Sequence, residues 1–144
     1  MNAMEISRTG LDVEWRRLEV IAQNIANANS TIEANGEPYR ARRLLSGPAV
    51  SFSEALANSR AKPIDLRGVA VYSIEAQNLP PRRVYEPAHP QADAQGYVQY
   101  PGFDHAAEMA LMVKTSRAYE ANIVALNAAR QMSARALDIG RRSS

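Results

Sequence analysis

Two segments of the chain carry apolar residues at helical spacing, one at each end. In the first, Met4, Leu11, Leu18 and Ile25 recur every seven residues, with Ile21 and Ala28 at the three-residue step and Ala22 beside them. Arg8, Asp12, Arg16, Arg17, Glu19 and Gln23 fall on the other faces. An apolar stripe of this period predicts an amphipathic helix over about 6–29, roughly 36 Å long at about 1.5 Å per residue. Glu14 stands where an apolar residue would complete the seam, and Gly10 weakens the helix near its start. Val13, Trp15 and Val20 lie off the stripe, and such apolar residues on a long helix call for further helices from other chains. The helix is expected to fade in Asn27-Ala28-Asn29-Ser30-Thr31, whose side chains compete for their own backbone.

The second segment predicts a longer helix over about 105–139. Asp104 is placed to cap it after Pro101-Gly102-Phe103, and Glu108 suits the positive end of its macrodipole. Gly140-Arg141-Arg142 suits its C-terminal end. Met109, Met112, Ser116, Tyr119, Ile123 and Leu126 alternate steps of three and four, as in a coiled-coil seam. Strict register would then meet Arg130 and Ser133, whereas Ala129, Met132, Ala136 and Ile139 continue the apolar stripe. The seam is therefore expected to drift around the helix and serve more than one partner.

Between them, residues 32–103 hold all eight prolines. Short strands are expected at 39–45, 69–75, 82–86 and 96–100, with turn chemistry at Ala34-Asn35-Gly36-Glu37-Pro38. Residues 46–68 read as a flexible loop with a short helix at 54–58 capped by Ser53. The fold class is thus α+β. Two long terminal helices pack as an antiparallel coiled-coil hairpin, with a small β-rich middle at its tip. Residues 1–31 and 104–144 are expected to form a terminal-helix assembly domain, and 32–103 a small β-rich middle domain.

Composition narrows the function classes. Apolar residues make up 46% of the 144, but aromatics only 6%, so alanine-rich helix packing is favoured over a thick core. The net charge of +2 divides as −1 over 1–31, +1 over 32–103 and +2 over 104–144, so no segment argues for nucleic acid or an anionic membrane. With no cysteine, thiolate metal sites, disulfides and cysteine nucleophiles are excluded. No apolar run is long enough to span a bilayer, and Met1-Asn2-Ala3-Met4-Glu5 does not read as a cleaved signal peptide.

Candidate chemistry is sparse. His89 and His105 do not form a ligand motif and read as packing or exposed residues. No serine elbow or phosphate loop occurs. Asp93-Ala94-Gln95-Gly96 lacks the acidic ligands of a calcium loop and reads as a turn. Glu75, Glu86 and Asp93 are the middle-region carboxylates a wall-cleaving hydrolase would need, and none is in a catalytic frame. Arg40-Ala41-Arg42-Arg43 reads as an edge strand guarded by charge, the other reading being contact with phosphate or an acidic partner. Trp15 reads equally as interface anchor or hairpin core. No enzyme activity, cofactor, metal or small-molecule substrate is expected.

Two motifs at opposite ends match a known family. Leu18-Glu19-Val20-Ile21-Ala22-Gln23-Asn24-Ile25-Ala26-Asn27-Ala28-Asn29-Ser30-Thr31 resembles the N-terminal signature of bacterial flagellar rod and hook proteins. Ser116-Arg117-Ala118-Tyr119-Glu120-Ala121-Asn122-Ile123, followed by Leu126-Asn127, resembles their C-terminal signature. Gly36-Glu37-Pro38-Tyr39-Arg40-Ala41 and the stretch from Tyr85 to Val98 resemble the proximal-rod members. The resemblance covers nearly everything but residues 46–68 and the last few.

It implies a structural subunit that leaves through the flagellar export apparatus without a cleaved signal. Such a subunit assembles on the membrane-embedded base into a helical rod with copies of itself and other rod proteins, and transmits torque. It also implies terminal segments that become helical on assembly. The expected assembly residues are Leu11, Trp15, Leu18, Asn24, Ile25, Asn27, Met112, Tyr119, Asn122, Ile123 and Leu126. Asn24, Asn27 and Asn122 fix register between subunits, the equal alternative being that Asn27 and Asn29 end a helix. The competing reading is an export adaptor that is never incorporated.

Overall fold

A computed structural model describes residues 3–31, 36–50, 52–58 and 67–142. Helix α1 spans Ala3–Ala26, strand β1 Arg42–Pro48, helix α2 Phe52–Asn58, strand β2 Val69–Ala76, strand β3 Arg82–Tyr85, strand β4 Tyr97–Tyr100 and helix α3 His105–Arg142. The class is α+β. The strands form two antiparallel pairs, β1 with β2 and β3 with β4. Expected residues 51 and 59–66 of the loop lie outside the described residues. Its flanks are ordered as the end of β1 and as α2.

The helix ends follow local chemistry. Asp104 caps α3, its Oδ1 accepting from the Ala106 N–H at 2.9 Å. α1 stops three residues early of expectation, where the Asn27 amide donates to the Gln23 carbonyl at 2.8 Å. Gly140 does not end α3, which continues to Arg142.

α1 and α3 lie side by side and antiparallel. A Cβ built on Gly10 would come within 2.9 Å of the Asn122 amide oxygen. The Trp15 and Tyr119 rings are 6.1 Å apart. Asn24 reaches Glu108 at 3.1 Å. As residue numbers rise along α1, their partners fall along α3. The buried side of α3 carries Glu108, Thr115 and Ala129, with Met112, Tyr119, Asn122 and Leu126 half-buried between them. That is a regular four-three alternation, so no drift occurs through Ala129, contrary to the drifting seam expected. The expected seam shares Met112, Tyr119 and Leu126 but is one residue out elsewhere. Met109 and Ile123 are exposed, and Glu108 and Asn122 take their places on the α1 side. Hydrophobicity favoured Met and Ile there; polar side chains won because α1 offers them a partner amide and a glycine.

α3 is longer than α1, 38 residues against 24. In this register the N-terminal end of α1 falls near Ala129, the last buried residue of α3. From Arg130 to Arg141 every residue is exposed. This extension measures about 20 Å.

The β1–β2 hairpin does not sit at the tip of the helix pair. It lies along α1. Val13 and Val20 are buried and pack with Leu44 and Val71, so these two of the three apolar residues expected to need other chains meet the hairpin of their own, while Trp15 stays exposed. Three polar clips follow its length: Asn24 to Arg42, Arg17 Nη2 to Ser46 Oγ at 2.8 Å, and the Val69 N–H to Thr9 Oγ1 at 3.1 Å. Pro48 pairs with Val69, so the clips span β1. From Thr9 to Asn24 is about 22 Å of helix, and from Arg42 to Pro48 about 20 Å of strand. At the last clip Gly68 has φ +76, and a Cβ added there would run into the Thr9 side chain.

Candidate assembly surface

The residues expected to mediate assembly divide into three groups. Asn24 is fully buried and is spent within the chain. Its Nδ2 donates to the Arg42 carbonyl at 2.9 Å and to Glu108 Oε2 at 3.1 Å. Its Oδ1 accepts from the Tyr39 hydroxyl and from the Arg42 N–H, both at 2.9 Å. The amide therefore uses both donors and both acceptor sites. It pairs with the Arg42 backbone as a neighbouring strand residue would. Glu108, 1% exposed, uses its other oxygen on Arg43. Most of the basic run is likewise spent internally: Arg43 pairs with Glu108, and Arg40 Nη2 donates to Asn78 Oδ1 at 2.8 Å. This cluster was not legible in sequence. Glu108 carried only the generic signal of an acid in a first helical turn.

The second group lines the α1–α3 contact. Leu11, Leu18, Ile25, Met112, Tyr119, Asn122 and Leu126 are half-buried. Asn27 closes α1 through Gln23, which is the helix-ending role.

The third group points outward. Trp15 is 53% exposed despite its contact with Tyr119, and its indole N–H donates to Glu19 at 3.2 Å. Ile123 is exposed, with Met109, Val113 and Val124. Past the end of α1, Met132 is 63% and Leu137 70% exposed. Apolar side chains thus face outward on several sides of α3, more than a lone helix pair covers.

The middle offers turn and hairpin chemistry. Asp93 Oδ1 accepts from the Gln95 and Tyr97 N–H groups, both at 2.9 Å, and Oδ2 pairs with Arg83 at 2.9 Å. The Tyr97 bond, then those from Gln95 and Arg83, hold its carboxyl below the usual range against some desolvation. Gly96 follows at φ +82, as the turn reading expects. The Tyr100 hydroxyl donates to Glu86 at 3.0 Å, which pushes its ionisation upward. Among the described residues no three acidic or histidine groups converge as a metal site would require, and no helix is long and apolar enough to cross a membrane.

An α+β chain whose two terminal helices pair and whose longer helix exposes apolar side chains on several sides has the surface of a subunit that packs against further helices. The family model for the flagellar basal body rod FlgEFG protein C-terminal matches residues 94–139, which include most of α3. The flagellar basal-body rod protein FlgC of Salmonella typhimurium is 36% identical over 140 residues, 97% of each chain. That of Bacillus subtilis is 35% identical, again over 97% of each. That of Borreliella burgdorferi is 34% identical over 96% of this chain and 95% of its own. The chain belongs to the flagellar basal-body rod protein FlgC family.

Proposed function

We propose that the chain is a non-enzymatic structural subunit of the proximal rod of the bacterial flagellar basal body. Residues 1–31 and 104–144 act as its assembly domain, pairing as a coiled-coil hairpin that packs helically against copies of the chain and other rod proteins. The 32–103 middle is the second unit. The rod so built stands on the membrane-embedded base, crosses the periplasm and carries torque outward. The subunit reaches it through the flagellar export apparatus.

The observation that carries this reading is α3. Its apolar side chains at Val113, Ile123, Val124, Met132 and Leu137 are exposed on more than one side, and its last turns stand beyond α1. A helix in that state gains stability from neighbouring helices, and a contact that does not close on itself builds a helical array. Family membership supports the same reading. The incorporated subunit is favoured over an adaptor left in the cytoplasm, because the relatives that match over nearly their whole length are named rod proteins.

Purified hook–basal bodies test it. Immunolabelling or mass spectrometry is expected to find the chain in the rod of intact particles. Its absence from particles that are otherwise complete would overturn the proposal.

A further inference from the structure

The hydrophobic contact between α1 and the β1–β2 hairpin is small. It consists of Val13, Val20 and Leu44, with Val71 against them. Such a contact does not specify its own register. A slip of two helical turns, seven residues or about 10.5 Å, puts one valine in the other's place, so half of the helix side of the contact survives it.

Buried polar groups do discriminate. The Asn24 amide meets two distant stretches of chain at once: 39–42, through the Tyr39 hydroxyl and the Arg42 backbone at the start of β1, and the first turn of α3, through Glu108. Arg43 closes the cluster on Glu108. Asn24 and Glu108 are buried, so a slipped arrangement leaves donors and acceptors away from both partner and water. The clip distances agree: with Arg42 held at Asn24, Ser46 falls at Arg17 and Val69 at Thr9.

We propose that the Asn24–Glu108–Arg43–Tyr39 cluster is a register lock that makes the ordering of α1, of the β1–β2 hairpin and of α3 a single event. The lock lies within one chain, so the idea stands independently of the rod reading. Its consequence is that neither terminal helix orders against the hairpin without the other. Whatever orders α3 also sets the position of the middle.

The full chain can be followed in solution through a series running from urea, through plain buffer, to trimethylamine N-oxide. Emission of Trp15, the sole tryptophan, reports the helix pair. Hydrogen exchange of peptides covering 42–48 and 69–76 reports the hairpin. In the wild-type chain the two midpoints are expected to coincide. In Asn24→Ala they are expected to separate by about 1 M urea. Glu108→Gln, which retains an acceptor for Asn24 but loses the ion pair, and Tyr39→Phe, which loses one bond of four, are expected to separate them less. These milder variants keep the test open if Asn24→Ala does not fold. The lock is overturned if the wild-type midpoints differ, or if the folded variants shift both midpoints together.

Discussion

Asn24 and Glu108 stand 84 residues apart in the chain and 3.1 Å apart in the fold, amide nitrogen to carboxylate oxygen. The contact depends on a donor facing an acid in a buried place. Asn24→Asp retains the acceptor for Tyr39 and Arg42 but replaces that donor with a second carboxylate. At pH 7 the variant is expected to be less stable by about 3 kcal/mol. Like charges raise the affinity of one carboxyl for a proton. A group whose folded pKa is raised is favoured below its unfolded value, so the deficit is expected to shrink as pH falls from 7 towards 5. Urea unfolding across that range checks it; a deficit independent of pH would rule out the carboxylate pair.

Gly68 joins a positive φ to a close approach to Thr9. Gly68→Ala is expected to cost about 2 kcal/mol, part from the left-handed backbone and part from the contact. Adding Thr9→Ala is expected to return only the second part. Thermal unfolding of the two single variants and the double variant separates the shares.

Gly10 lies where the Asn122 side chain of α3 packs against α1. Replacing a helix-interior glycine by alanine ordinarily gains about 1 kcal/mol. Here the new Cβ displaces the Asn122 amide from 2.9 Å. Gly10→Ala alone is expected to be nearly neutral. In an Asn122→Ala background the same change is expected to recover most of the gain, readable by circular dichroism melts.

The Asp93 turn makes the β3–β4 hairpin sensitive to acid. Its carboxyl is held below the ordinary aspartate range, chiefly by the Tyr97 N–H. A group depressed in the folded state contributes stability above its unfolded pKa and loses it as pH falls through the folded one. The hairpin is therefore expected to loosen below about pH 4. Asp93→Asn is expected to abolish this part of the pH dependence, which amide exchange in β3 and β4 measures.

The α3 extension can be removed without touching the buried contacts. Truncation after Ala129 is expected to leave the unfolding midpoint of the dilute chain nearly unchanged, since residues 130–141 are exposed. The same truncation is expected to abolish incorporation into basal bodies and motility in a complemented deletion strain. Normal swarming would remove the extension from the proposed assembly surface.

The sequence by itself determined both terminal helices, the Asp104 cap, the Asp93 turn and the approximate place of all four strands. Each of these follows from residues close together in the chain: a repeat of seven, a capping side chain, a glycine after an aspartate. Its two signature motifs were also enough to indicate the family. Tertiary structure decided which faces are inside. Val13 and Val20 looked surplus because the stripe of α1 was read against one partner, whereas α1 has two, α3 and the hairpin. Met109 and Ile123 looked interior because they are apolar. Glu108 and Asn122 are on that side instead, because Asn24 and Gly10 supply an amide and open space that no local pattern contains. A buried polar group is stable only when its partners are present, and those partners come from distant parts of the chain.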